Sequence, residues 1–198
     1  MRHGIVLAAL LSLLCAGCLD SKEGFIHFSF TVDYDIPEQT LPGDPLLSLL
    51  PVQPLPDIPI DMNTDSQFNS QVFDHIVRIR VQGLVFTINS NSTNPLIDDK
   101  EPDPSTPDDW SFLESVEIWI EHPQTFEQGM IALVPSGDPQ LLPGNTSLSF
   151  TCLNTDLEEY FDGNYNTTLI LKATGTFPPD DVIFQATADF KITAALIR

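Results

Sequence analysis

Basic side chains are scarce in this sequence: 8 lysines and arginines stand against 28 aspartates and glutamates, for a formal charge of −20. Phosphate backbones are held by clustered Lys and Arg, so this balance excludes nucleic-acid binding. The acidity reads first as solubility, with cations or basic partners as the minority alternative. Cysteine is also rare, at positions 15, 18 and 152. No Gly-x-Ser-x-Gly elbow or Gly-rich phosphate loop occurs, and His27, His75 and His122 lie too far apart for zinc spacing. A catalytic centre is therefore not expected, and no cofactor is implied. The apolar run Ile5 to Leu14 is ten residues long, well short of the roughly 20 that cross a bilayer.

That run follows a single positive charge, Arg2, and leads into Cys15-Ala16-Gly17-Cys18. An apolar stretch of this length suits the centre of an export signal. Two small residues followed by a cysteine resemble the lipobox of bacterial lipoproteins, although Cys15 occupies the place usually held by leucine. The resemblance implies cleavage before Cys18, acylation of its thiol and tethering to a membrane. Asp20 stands one place beyond the usual inner-membrane retention aspartate, so the same resemblance favours the outer membrane of the cell envelope. An ordinary secretory signal cleaved nearby is the alternative.

Removing the first 17 residues leaves 181, enough for one domain, and the loss of Arg2 brings the charge to −21. With Cys18 acylated, Cys152 has no intrachain partner, so stability rests on packing. Residues 18–24 read as a lipidated tether and 25–198 as the domain. Ile26 to Ile36 and Val182 to Ile192 alternate apolar and polar strictly, as half-buried strands do. Val77, Ile79 and Val81 share one face, and Leu84, Phe86 and Ile88 continue one residue out of phase, so Gln82-Gly83 marks a bulge. Further strands are expected at Asp57–Met62 (an edge), Val116–Ile120, Met130–Val134, Ser147–Leu153 and Thr167–Phe177. Short helices are expected near Pro45–Leu50, within Thr64–Asp74 and after Asn154, the last closed by Gly163. Seven prolines between Pro37 and Pro59 exclude a central strand there. Residues 89–109 form an acidic loop with four prolines. The sum is all-β: an antiparallel β-sandwich of about 7–8 strands, immunoglobulin-like in shape but without the Cys-Trp-Cys framework.

Candidate sites follow from this layout. Asp98, Asp99, Glu101, Asp103, Asp108 and Asp109 offer hard oxygen ligands for calcium, but no Asp-x-Asp-x-Asp-Gly loop is present; a solvated charge run is the plainer reading. Trp110, Phe112 and Trp119 are contact aromatics for a partner, or core residues. Leu46, Leu47, Leu49 and Leu50 form a lid over an apolar ligand, or a plug on the sandwich end. Cys152 alternates with Leu148 and Phe150 and is expected as a packed thiol. The pairs Asp33/Asp35 and Glu117/Glu121 read as solvated faces. The functional expectation is a lipid-anchored, non-catalytic module that binds an unknown protein or glycan partner. A carrier of a hydrophobic ligand is the first alternative and a calcium-binding surface module the second.

Overall fold

The computed structural model describes residues 25–43, 57–64, 68, 75–89, 109–162, 165–178 and 181–197. The expected tether, Pro45–Leu50 helix, most of Thr64–Asp74 and Gly163 lie outside them. Nine strands are described: β1 (Phe25–Leu41), β2 (Ile58–Asp61), β3 (His75–Ile88), β4 (Leu113–Glu121), β5 (Gln128–Val134), β6 (Ser147–Ser149), β7 (Thr151–Cys152), β8 (Asn166–Gly175) and β9 (Val182–Ile197). They form two antiparallel sheets, ordered β1-β9-β3-β6 and β2-β8-β4-β5-β7.

This is the expected β-sandwich, and its connectivity is nested. β1 pairs with β9, β2 with β8, β3 with β6 and β4 with β5, as if one long hairpin centred on the β4–β5 turn had been rolled up. Such rolling is the double Greek key of a jelly roll. The likeness to immunoglobulin domains therefore stays one of architecture, since those place their strands in a different order.

Alternation drives the packing. Val32, Tyr34 and Ile36 of β1 and Phe184, Ala186, Ala188, Phe190 and Ile192 of β9 all point inward. They meet Ile58, Ile60, Val116, Ile118, Ile120, Leu169 and Leu171 from the other sheet in one contiguous core. At its centre Phe86 stacks on Phe184 (5.1 Å between ring centroids) and leans on Phe150 (4.8 Å). Burying a large side chain fully contributes about 1.5–3 kcal/mol, so this aromatic group is a major stabilising element.

The Gln82-Gly83 bulge is present: register slips between Val81 and Gly83, and Leu84, Phe86 and Ile88 return to the core. A Cβ at Gly83 would stand 2.5 Å from Asp189 Oδ2, so that side chain would have to turn aside. A second bulge, between Ile76 and Arg78, corrects the expected face. Ile76 is buried and Val77 only half-buried. The strand expected over Ser147–Leu153 divides at Phe150. Phe150 N–H still donates to Leu84 O in the first sheet (2.9 Å), whereas Leu153 N–H donates to Ile131 O in the second (2.7 Å). An edge strand that changes sheets turns the sandwich corner this way. β1 runs through Pro37 at a bulge on a sheet edge, where a missing N–H costs no ladder bond. The helix expected after Asn154 is a single 3-10 turn, Glu158–Tyr160. Asp156, not Asn154, accepts the first free N–H, from Glu158 at 3.4 Å.

Candidate functional site

Where the β1 and β2 edges meet the β4–β5 turn, the surface opens into a groove of about 620 Å³. Its position follows from alternation. On β2 the buried Ile58 and Ile60 leave Pro59 and Asp61 outward, and register places these beside Thr168 and Asn166 of β8. Glu121 ends β4 on the same outer face.

Three rings line the groove. Tyr34 Oη accepts the Asp61 N–H at 3.3 Å, tying β1 to β2 across the sandwich edge. Tyr160 stands edge-on to His122 (6.0 Å between centroids) and over Gly129, where any Cβ would lie 2.8 Å from its hydroxyl. Phe126 is 70 % exposed and sits at φ 59° in the hairpin turn. That turn is held from inside: His122 Nδ1 accepts from the N–H groups of Gln124 (3.1 Å) and Thr125 (3.2 Å), and Phe126 N–H donates to His122 O (3.0 Å). An Nδ1 that accepts two bonds carries no proton, which assigns the Nε2–H tautomer. The strained φ of Phe126 is thus supported by its surroundings, an arrangement that projects a large apolar ring into water.

The polar wall is acidic. Asp61 Oδ1 accepts from Asn63 N–H (3.0 Å) and Asp162 Oδ1 from Asn166 N–H (2.8 Å). Glu121 Oε2 accepts from Gln128 Nε2 (3.0 Å). Each bond holds its carboxylate still. The Thr167 hydroxyl lies buried below the groove without a hydrogen-bond partner among the described residues. No Lys or Arg lines the groove. Beyond Glu121 the outer face continues as a network. Lys172 Nζ donates to Gln128 Oε1 (2.9 Å) and lies 3.9 Å above the Trp119 ring centroid, while Trp119 Nε1 donates to Glu117 Oε2 (2.9 Å).

The contact aromatics expected from the sequence are separated by the fold. Trp110 is 1 % exposed and packs edge-on to Phe184 (5.7 Å), so it is a core residue and offers no contact surface. Phe112 is half-buried, 6.2 Å from Trp110. Trp119 is half-buried on the outer face beneath Lys172. Asp109, the calcium candidate that is described, is also claimed by the fold. It caps the 3-10 turn Trp110–Phe112 through the Ser111 N–H (2.9 Å) and accepts the Gly144 N–H (2.7 Å). Burial pushes its carboxyl up, but the hydrogen bonds from Ser111 and Gly144 outweigh this and hold it below the usual carboxylate value. Each oxygen accepts one backbone N–H, so Asp109 serves the turn it caps. Asp98, Asp99, Glu101, Asp103 and Asp108 lie outside the described residues, as do Leu46, Leu47, Leu49, Leu50 and Cys18. Among the described residues no three His, Cys, Asp or Glu groups gather for a metal, and no helix is long and apolar enough to cross a membrane.

Tyr34, Tyr160, Phe126, Asp61 and Asp162 escaped the sequence reading. Phe126 carried a usable signal, a lone large aromatic inside the polar turn His122–Glu127. The others come together only through the rolled topology.

No protein-family model matches the chain, and no curated protein matches it in sequence. Among solved structures it is similar to the BFDV capsid protein in its 60-mer crystal structure, with TM-score 0.42 and 7 % identity over 89 % of this chain and 97 % of that one. The decameric crystal form of the BFDV capsid protein gives TM-score 0.37 and 8 % identity over 85 % and 98 %. The cryo-EM structure of Mud crab tombus-like virus gives TM-score 0.35 and 7 % identity over 96 % and 99 %.

Proposed function

We propose that this chain is a lipid-anchored, non-catalytic lipoprotein of the bacterial cell envelope whose β-sandwich binds a glycan in the groove between Tyr160, Phe126 and Asp61. One observation carries the glycan reading: aromatic rings and acceptor-rich carboxylates line the same groove, with no cation among its described lining residues. Ionised carboxylates only accept hydrogen bonds, and sugar hydroxyls supply donors in quantity. The apolar C–H face of a pyranose then covers an aromatic ring, giving the mix of apolar lining and few convergent polar groups typical of ligand sites. A hydrophobic ligand would strip water from the remaining lone pairs of those carboxylates, at about 1–3 kcal/mol for each desolvated group. The carrier reading is thereby disfavoured at this groove. The anchor rests on the lipobox-like segment ending at Cys18.

The test is affinity electrophoresis of the full chain, in neutral detergent, through gels containing neutral and amino polysaccharides. Retardation by at least one polysaccharide is expected, and Phe126→Ala and Asp61→Asn should each weaken it about tenfold, or roughly 1.4 kcal/mol. Phe126 is exposed, so its loss leaves the fold intact. Retardation by no polysaccharide, or retardation indifferent to both substitutions, refutes the glycan reading. The anchor has its own check: radiolabelled palmitate should enter the wild-type chain and not Cys18→Ser.

A further inference from the structure

The cations of the described residues are Arg78, Arg80, Lys172 and Lys191, in a chain with 28 acids. Two of them are accounted for. Arg78 Nε pairs with Asp156 Oδ2 at 3.0 Å, and Lys172 bonds Gln128 and covers Trp119. The other two have no ion pair or hydrogen bond among the described residues. They stand directly opposite each other in register, Arg80 of β3 against Lys191 of β9. Like charges facing across a strand pair repel. The Arg80 Nε–H is also buried without an acceptor among the described residues, which is unfavourable when nothing repays it. Both side chains line one open pocket of about 240 Å³ that shares no lining residue with the groove, with Gln82, Cys152 and Asn154 also in its wall.

From this geometry we infer an oxoanion site: Arg80 and Lys191 bind a phosphate group. The guanidinium supplies a planar fork of donors that matches two oxygens of a phosphate, and the ammonium supplies a mobile third. Gln82 and Asn154 add side-chain N–H donors at the rim. One anion cancels the Arg80–Lys191 repulsion, held by the terminal guanidinium nitrogens and the ammonium. Asp189 borders the site, for its charge acts on the Cys152 thiol, and it limits how much negative charge the pocket tolerates. The chain's overall field also opposes anions, so binding is short-ranged and depends on direct contact with both cations.

The phosphate can be free or belong to a lipid headgroup, and the experiment separates these sources. The full chain in neutral detergent is titrated calorimetrically with inorganic phosphate at constant ionic strength, using chloride as the control. In a parallel arm, phosphatidic acid is incorporated into the same micelles. Saturable one-to-one binding in either arm, reduced about tenfold or more by Arg80→Gln and by Lys191→Gln, supports the site and identifies its source. Lys191 is exposed, so its variant remains informative if Arg80→Gln fails to fold. Heats no larger than those of chloride in both arms overturn the proposal, as does binding that survives both substitutions. Neither result bears on retardation by polysaccharides, so the two sites fail or stand separately.

Discussion

Asp109 permits a quantitative prediction, because each of its carboxylate oxygens has an identified donor. The residue is 8 % exposed, and each carboxylate oxygen accepts one backbone N–H, from Ser111 at 2.9 Å and Gly144 at 2.7 Å. Asp109→Ala removes the cap on Trp110–Phe112, worth about 1 kcal/mol, and one further charge-assisted bond, worth about 1.5–3 kcal/mol. Gly144 is exposed, so water recovers part of the second term, and a net loss of about 2–3 kcal/mol is expected. With a urea dependence near 2 kcal/mol per molar, the midpoint should fall by about 1–1.5 M. Tryptophan emission reports the transition, since Trp110 is in the core. Asp109→Asn keeps an oxygen for Ser111 but turns an amide toward the Gly144 N–H, so a loss of about 1–2 kcal/mol is expected. The sign of the pH dependence follows from the lowered carboxyl value in the folded state. The stabilisation is complete above the unfolded-state value and disappears as pH falls through the folded-state value. The gap between wild type and Asp109→Asn should therefore narrow on acidification. A gap that widens, or an alanine variant within about 0.5 kcal/mol of wild type at pH 7, refutes the capping argument.

Three further outcomes are expected. Phe184→Ala empties the space between Phe86 and Trp110 at a residue with 0 % exposure; it should cost about 3–5 kcal/mol, read by thermal or urea unfolding. Gly175 holds φ 141°, and a Cβ there would overlap Phe112 O. Gly175→Ala should therefore destabilise by about 3 kcal/mol or more, combining dihedral strain with overpacking, and a neutral result would show that the β8 end relaxes freely. The Cys152 thiol is pushed up by burial and by the charge of Asp189. Iodoacetamide should then modify it more slowly than free cysteine at pH 8, and Asp189→Asn should accelerate the reaction.

The strands were legible wherever alternation was strict, as in β1, β4 and β9, because a period of two leaves one choice of buried face. The Gln82-Gly83 bulge was legible for the same reason, as a visible change of phase. The second bulge at Val77 was not, since Ile76, Val77 and Ile79 are all apolar and the sequence does not distinguish which is displaced. The candidate site was largely illegible. Trp110 and Asp109 look like surface chemistry at the end of an acidic loop, yet two backbone N–H groups draw Asp109 inward and Trp110 follows it into the core.

The sequence by itself determined that the fold is a two-layered antiparallel sandwich and that the chain is strongly acidic, because periodicity and charge are local quantities. Tertiary structure alone decided the nested strand order, the change of sheet at Phe150, and the meeting of Tyr34, Tyr160, Phe126 and Asp61 around one groove. Those residues are distant along the chain, and only the rolling of the long hairpin, driven by burial of its common apolar face, makes them neighbours.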